Sequence, residues 1–485
     1  MKNKQLMDNI NHQSQTTAAT IAAVSTPAGV SGIAVIRLSG NEAGRICDQL
    51  FKPLSKRFKP ALQMQPYTVG VGYWYDAEQK HIIDQVVLTY FAAPNSYTGE
   101  DLYEISCHGG QYIKQAILES LFVLGAVPAE PGEFSRRAFI NGKLDLTEAE
   151  GVMDMISAES SRQNQVALQQ LRGQLAKEIQ SVRESLYQIM AQIEMIIEFP
   201  ENEDTPEQRA KILAAVKRVE RTLSDAVASF TQGRIVREGL HVVISGRPNV
   251  GKSSLLNQIL GEEKAIVTAI PGTTRDIIEA QIILHGLSVV LTDTAGLRTT
   301  DDIVEKEGIE RAYQAIEKAD LIIYIFSPEN EELWFEDLRE IQNLLERNKK
   351  IVLIAGKKDL PDHKKLSDWL EQHVSALEQK LDILDFSKFE DKKAETIKKY
   401  ILNFFESLGD SEGDSIMITH LRHHRILQKT LEQVRQAQQA FEQEIPLDLI
   451  SGLLQAAAEE LAELTGDQVS EELIETIFSA FCVGK

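Results

Sequence analysis

Basic residues are in short supply in this chain. Its 485 residues carry 51 Lys and Arg against 72 Asp and Glu, a formal net charge of −21. A surface this acidic does not act as a general binder of nucleic acid, because affinity for phosphate backbones draws on Lys and Arg. An RNA substrate needs a local basic patch or a basic partner. Cysteine is scarcer still. Cys47, Cys107 and Cys482 are the only three, and none stands in a C-x-x-C pair. That excludes a disulfide framework and argues against a cysteine-built zinc site. No apolar run approaches the roughly 18 residues of a membrane span. Met1–Thr17 is rich in Asn and Gln and has neither an apolar core nor an Arg-rich amphipathic pattern. Residues 1–19 are therefore expected to form a flexible tail, and the chain is expected to be cytoplasmic, with no membrane partner. The length suits about three domains.

Glycine and proline are unevenly spread. From Leu146 to Thr231 they are confined to Gly151, Gly173, Pro200 and Pro206. Val166, Leu168, Leu171 and Leu175, then Leu186, Ile189, Ile193 and Ile196, follow helical spacing, so long amphipathic helices are predicted. Pro200 and the acidic run Glu201–Asp204 interrupt them. Before this block the texture is mixed. Ile33–Leu38 and Gln85–Tyr90 read as strands and Gly109–Leu124 as a helix, which suits an α+β domain over 20–141. After it, apolar strands alternate with helices. The strands are Val242–Ser245, Ile278–Leu284, Val289–Asp293, Leu321–Phe326, Ile351–Ala355 and Ile383–Phe386; the helices are Ile309–Glu317, Glu331–Glu346 and Lys392–Phe405. Alternation predicts a doubly wound sheet over 239–408. Helices return at Leu421–Gln443, Leu447–Leu464 and Val469–Phe478. The expected class is multidomain, α/β plus α. A helical domain built from two separated segments, 142–238 and 409–485, receives the doubly wound domain as an insertion.

The most informative stretch is Gly246-Arg247-Pro248-Asn249-Val250-Gly251-Lys252-Ser253, which fits G-x-x-x-x-G-K-[ST]. A predicted strand precedes it and a predicted helix follows. Glycines let backbone N–H groups turn inward around phosphate oxygens, and the helix N-terminus adds partial positive charge. Lys252 is expected to reach the β- and γ-phosphates and the Ser253 hydroxyl to take a Mg²⁺ position. Asp293-Thr294-Ala295-Gly296 fits D-x-x-G, and Gly272-Thr273-Thr274-Arg275-Asp276 lies at the switch I position. Gly356-Lys357-Lys358-Asp359 stands where N-K-x-D selects guanine. Asp359 retains the paired acceptor for guanine N–H groups. Gly356 replaces the Asn that contacts the base and ties back to the P-loop, so GTP is expected to bind about 1–2 kcal/mol more weakly. Phe386-Ser387-Lys388 is the best counterpart of the S-A-K element. Leu297 follows D-x-x-G and cannot orient water, so the hydrolytic group must come from elsewhere. The expected nucleotide set is Asn249, Val250, Gly251, Lys252, Ser253, Ser254, Thr268, Thr273, Thr274, Asp293, Thr294, Ala295, Gly296, Gly356, Lys357, Lys358 and Asp359, in a Ras-like G domain.

These motifs, with Asp293-Thr294-Ala295-Gly296-Leu297-Arg298, Ser25-Thr26-Pro27, Pro131-Gly132-Glu133-Phe134, Arg137–Leu146 and Phe481-Cys482-Val483-Gly484-Lys485, resemble the MnmE (TrmE) family of tRNA modification GTPases. The likeness runs from about Thr20 to Lys485. It implies a homodimeric, K⁺-dependent GTPase that works with the flavoprotein MnmG in a heterotetramer. Together they modify C5 of the tRNA wobble uridine with an aminomethyl or carboxymethylaminomethyl group, using 5-formyl- or methylene-tetrahydrofolate. It implies that Asn249, with oxygens of Thr268, Ile270 and Thr273, holds K⁺, and that Ser253 and Thr274 hold Mg²⁺. Glu305 falls on the catalytic position. Pro271 stands where Ala is common. The folate pocket maps to Arg37, Glu104, Lys143 and Lys485, with Cys482 either a reactive thiol or a small buried residue. The net charge implies that tRNA is held mostly by the partner. Two alternatives remain: a non-enzymatic guanine-nucleotide switch and a folate-binding scaffold. His420, His423 and His424 mimic a metal-binding helix face but read as structural.

Overall fold

Alternation of apolar and polar residues builds the first sheet of the computed structural model, which describes residues 19–261, 277–294, 313–329, 331–375, 381–386, 393–409 and 417–485. Strands β1 (Ile21–Val24), β2 (Ser31–Ser39), β3 (Phe51–Pro53), β4 (Val69–Tyr75), β5 (Ile82–Phe91), β6 (Leu102–Gly109) and β7 (Val127–Pro128) lie in the order β3-β4-β5-β6-β2-β1-β7. Neighbours are antiparallel except β1 and β7. Ala34, Ile36 and Leu38 are buried on one face, in one core with Ile46 and Leu50 of helix Ala43–Leu50 and Ile117 and Leu121 of helix Gln111–Val123. The period of two sends Val35 and Arg37 to the other face. The register sets Arg37 opposite Glu104. The helix expected from Gly109 starts at Gln111, because Gly109 closes β6 and Gly110 is the cap. Strand β4 was hidden by Gly70 and Gly72. Its glycine is required, since a Cβ on Gly72 would sit 2.3 Å from the Lys52 carbonyl oxygen.

Runs of Val, Ile and Leu build the central strands of the second sheet, as expected for strands covered on both faces. It contains β8 (Leu240–Gly246), β9 (Ile277–Leu284), β10 (Leu287–Thr294), β11 (Leu321–Phe326), β12 (Ile351–Ala355) and β13 (Asp382–Asp385), in the order β13-β12-β11-β8-β10-β9. All pairs are parallel except β9 with β10. These two form a hairpin through His285 and Gly286, at φ 45° and 80°. Positive φ at both turn residues matches the twist of the flanking strands. The predicted doubly wound sheet is present, with that antiparallel edge added.

The helical segments before and after this sheet pack on one another. Helix Pro206–Ala228 lies along Leu421–Glu442, where Arg435 pairs with Glu220 at 2.8 Å and Lys217 with Glu442 at 3.0 Å. Leu146, Ala149, Phe478 and Phe481 form a separate buried cluster. Packing divides the chain into two units. One holds the residues up to Met153 with Gln169–Arg183 and Glu459–Lys485; the other holds Asp154–Leu168 and Glu184–Ala458. Among the described residues, no helix is long and apolar enough to cross a membrane.

Candidate functional site

Strand β8 lies between β10 and β11. The chain leaves it toward both sides, so its carboxyl end is a switch point, where open α/β sheets bind ligands. The P-loop turns there. Gly246, at φ 132°, comes so close to β11 that a Cβ would meet the Ile325 carbonyl oxygen at 2.5 Å. Asn249 is exposed at φ 65°, and Gly251 takes φ 111°. Helix Lys252–Gly261 follows. Lys252 is buried, and its Nζ donates to the carbonyls of Gly246 at 2.8 Å and Arg247 at 2.9 Å. Burial lowers its pKa, while the charges of Asp293 and Glu340 act the other way.

Ser253 Oγ donates to Asp293 Oδ2 at 2.8 Å. The other oxygen of Asp293 is buried and has no hydrogen-bond partner among the described residues. A hydroxyl beside a carboxylate with one unsatisfied oxygen fits Mg²⁺ and its water shell. A brace that the motifs did not reveal holds the loop from the side. Arg247 donates to Asp337 at 2.6 Å, Glu336 at 2.8 Å and the Leu333 carbonyl at 3.3 Å. Tyr324 donates to Glu340 at 2.9 Å and Asp337 at 3.2 Å. Burial raises the Asp337 pKa, and Arg247 opposes that rise. The signal available was Arg247 itself, a cation at a variable position of the G-x-x-x-x-G-K-[ST] pattern.

The base-reading segment follows β12. Gly356 N donates to the Phe326 carbonyl at 2.9 Å, and Lys358 N to the Phe386 carbonyl at 3.2 Å. Lys357 stands at φ 55°, with its ammonium on Glu329. Asp359 is exposed. Val250 is buried and Ser254 half-buried beside the P-loop; Thr294 closes β10. Thr268, Ile270, Thr273, Thr274, Ala295, Gly296, Glu305, Ser387 and Lys388 lie outside the described residues.

On the first sheet, Arg37 Nε pairs with Glu104 Oε1 at 2.9 Å, and the Arg37 guanidinium lies 5.1 Å from the centre of the Tyr97 ring. Lys485 is close enough to feel both charges. Burial lowers its pKa most, Arg37 lowers it further, and Cys482 and Glu104 raise it. Lys143 is exposed, and its Cγ would lie 3.4 Å from a Cβ on Gly99, two residues past Tyr97. The structure thus brings Arg37, Glu104 and Lys485 together and places Lys143 on the adjoining loop. The cluster holds more cationic than anionic groups, which suits a ligand with carboxylates. Cys482 is exposed rather than buried. The tail carrying it is pinned: Gly132 N donates to the Cys482 carbonyl at 3.3 Å, Phe134 N to that of Lys485 at 3.2 Å, and Ser25 Oγ to that of Gly484 at 2.9 Å.

The rings of His420 and His423 lie 5.0 Å apart, and each of the three histidines has its own surroundings. His420 is the extended N-cap of helix Leu421–Glu442, not part of it, and its Nε2 bonds Asp154 at 2.8 Å. His423 is fully buried, and His424 stacks on Phe230 at 4.1 Å between ring centres. Among the described residues, no group of three potential ligands could hold a metal ion.

Comparisons with known proteins cover nearly the whole chain. A family model described as the MnmE helical domain matches residues 146–482, and one described as the GTP-binding protein TrmE N-terminus matches residues 20–143. The tRNA modification GTPase MnmE of Alkaliphilus oremlandii (strain OhILAs) is 40% identical over 466 residues, covering 96% of this chain and 99% of that protein. The one from Bacillus pumilus (strain SAFR-032) is 38% identical over 467 residues, covering 96% and 100%. Among solved structures, the G domain of the T. maritima FeoB iron transporter is 28% identical and covers 34% of this chain and 98% of that one, at a TM-score of 0.27.

Proposed function

The chain belongs to the MnmE family of tRNA modification GTPases, and from that premise we propose that it hydrolyses GTP to GDP and phosphate in a K⁺-dependent manner. The observation that carries this reading is the Ser253–Asp293 pair beneath a complete P-loop, with one Asp293 oxygen left for a metal's water shell. In this reading Ser253 and Thr274 hold Mg²⁺, and Asn249 holds K⁺ with oxygens of Thr268, Ile270 and Thr273. When bound, the two ions supply positive charge toward the phosphates. The chain's own residues bind and orient. Lys252 leaves the two loop carbonyls for the β- and γ-phosphates, Asp359 reads guanine, and Glu305 orients the attacking water.

The wider reaction is modification of the tRNA wobble uridine at C5 with the flavoprotein MnmG and a tetrahydrofolate one-carbon donor. Support for the folate comes from the Arg37, Glu104 and Lys485 cluster. A homodimer is supported by exposed apolar side chains beside a cavity of about 590 Å³ lined by Gly29, Gln111 and Val483. Val30 and Tyr112, next in sequence to two of those residues, are 83% and 78% exposed, apolar surface that a second copy would cover. The acidic balance assigns most of the tRNA contact to the partner.

GTP and ATP turnover measured in KCl and in NaCl tests the enzymatic part. Turnover of GTP that rises in KCl supports it. Equal, negligible rates in both salts favour a nucleotide switch without catalysis. Loss of C5-modified wobble uridine on gene deletion, restored by the intact gene but not by an Asp359→Ala variant, tests the wider reaction. Unchanged modification after deletion refutes it.

A further inference from the structure

Residues 92–101 connect β5 to β6, and polar bonds fasten them at several points. Thr98 is fully buried and shares a 2.7 Å hydrogen bond with Ser39, two residues past Arg37 on β2. Asn141 Nδ2 donates to the Thr98 carbonyl at 2.7 Å. Asp101 accepts from the Tyr90 hydroxyl at 2.9 Å and from Ala93 N at 3.0 Å. A loop held in this way presents Tyr97 in a fixed position. The Tyr97 hydroxyl shares a 2.7 Å bond with Ser135 Oγ, on helix Glu133–Ile140, and Ser135 is fully buried. The ring packs against the buried cluster of Ile21, Ala23, Ala129 and Phe134. The Arg37 guanidinium lies over that ring, 5.1 Å from its centre. Among the described residues, Arg37 makes one side-chain hydrogen bond, from Nε to Glu104. Its two terminal nitrogens have no such partner. A guanidinium held at Nε and seated on an aromatic face offers its remaining edge as a pair of coplanar donors. Carboxylates match that geometry.

We infer that Tyr97 is a positioning residue of the folate site and acts through Arg37. Its ring sets the plane of the guanidinium, Glu104 holds one edge, and the free edge meets a carboxylate of the tetrahydrofolate. A loose arginine would lose rotamer freedom when it bound a ligand; one already held by a ring and a carboxylate loses less. Ser135 fixes the ring in turn. The same helix also steadies the second cation of the cluster, because Phe134 N donates to the Lys485 carbonyl at 3.2 Å. The sheet side and the tail side of the cluster thus share one support. The inference rests on the reading of this cluster as the folate site.

The test uses full-length protein and the variants Tyr97→Phe, Tyr97→Leu, Arg37→Gln and the double variant Arg37→Gln with Tyr97→Leu. Binding of 5-formyltetrahydrofolate is measured by calorimetry at neutral pH, with thermal melting as the folding control. Tyr97→Leu should weaken binding about tenfold, and Tyr97→Phe, which keeps the ring over which Arg37 lies, less than about threefold. In the Arg37→Gln background Tyr97→Leu should cost less than about twofold, because the side chain it acts through is gone. A role confined to packing would cost the same factor in both backgrounds. Equal losses with and without Arg37 therefore overturn the inference, as does parent-like binding by Tyr97→Leu. Tyr97→Met, whose flexible chain fills space without an aromatic face, carries the same comparison if the leucine variant does not fold. An Arg37→Gln protein that binds the folate as tightly as the parent strikes the reading of the cluster itself.

Discussion

Ser253 Oγ and Asp293 Oδ2 are joined by a 2.8 Å hydrogen bond, so the first turn of the P-loop helix and the end of β10 share one proton-donating contact. The second Asp293 oxygen is buried without a partner among the described residues. A buried, unsatisfied carboxylate oxygen is costly unless something bound supplies the missing donor. Replacing Asp293 with Asn keeps the shape and removes the charge. We predict a fall of about 100-fold or more in kcat/KM for GTP, roughly 2.7 kcal/mol. The Mg²⁺ concentration for half-maximal rate should rise as well. A Mg²⁺ titration checks this, and an unchanged requirement would remove Asp293 from the metal's surroundings.

Lys485 sits in a half-buried position beside another cation. Burial and the Arg37 charge both lower its pKa, so it gives up its proton at lower pH than an ordinary lysine. A ligand carboxylate prefers the charged form. Affinity for a tetrahydrofolate should therefore decline as pH rises from neutral to about pH 10, ahead of the usual lysine range. Lys485→Arg should flatten that decline, and Lys485→Gln should weaken binding about tenfold or more at neutral pH. Calorimetry across that range decides; a flat profile in the parent protein contradicts the assignment.

Local patterns carried part of this structure and could not carry the rest. Strands β11 and β12 begin and end where their apolar runs do, since both faces are covered and nothing polar interrupts them. The P-loop was legible because its spacing is its mechanism. Arg37 and Glu104 were each indistinguishable from surface charges in the sequence, because their partnership depends on the register of β2 with β6, 67 residues apart. His420 was read from the sequence as structural, and its hydrogen bond to Asp154, 266 residues away, could not be seen there. The helix itself starts at Leu421 as expected.

Gly132 should be intolerant of any side chain. It sits at φ 69°, and a Cβ would lie 2.4 Å from the Phe478 carbonyl oxygen. Its N–H holds the Cys482 carbonyl. Gly132→Ala combines left-handed backbone strain with a clash against main chain, a loss of about 1–3 kcal/mol. The C-terminal tail should loosen. Folate affinity should fall with it, and the P-loop, in the other packing unit, should hydrolyse GTP at the parent rate. Limited proteolysis near the C-terminus, read beside GTP turnover, separates these outcomes. Parent-like protection of the tail contradicts the prediction.

Asp154 draws together side chains from two distant segments. Its two oxygens meet Arg237 Nε at 2.9 Å and His420 Nε2 at 2.8 Å. Burial alone would raise its pKa; the bond and charge of His420, with those of Arg237, outweigh burial and lower it. A folded-state pKa below the unfolded value means stabilisation that is complete above about pH 4 and is lost as pH falls through the lower, folded value. Asp154→Asn should therefore destabilise the protein at neutral pH by about 1–2 kcal/mol, since it removes the closer counter-charge of a partly buried guanidinium and leaves it Glu238 alone, at 3.4 Å. In strong acid the parent's own carboxylate is protonated, so the gap between the two proteins should narrow. Urea melts at neutral pH and again below the carboxylate range measure it. A gap of constant size at both pH values would show that Asp154 contributes through shape and packing, with no part played by its charge.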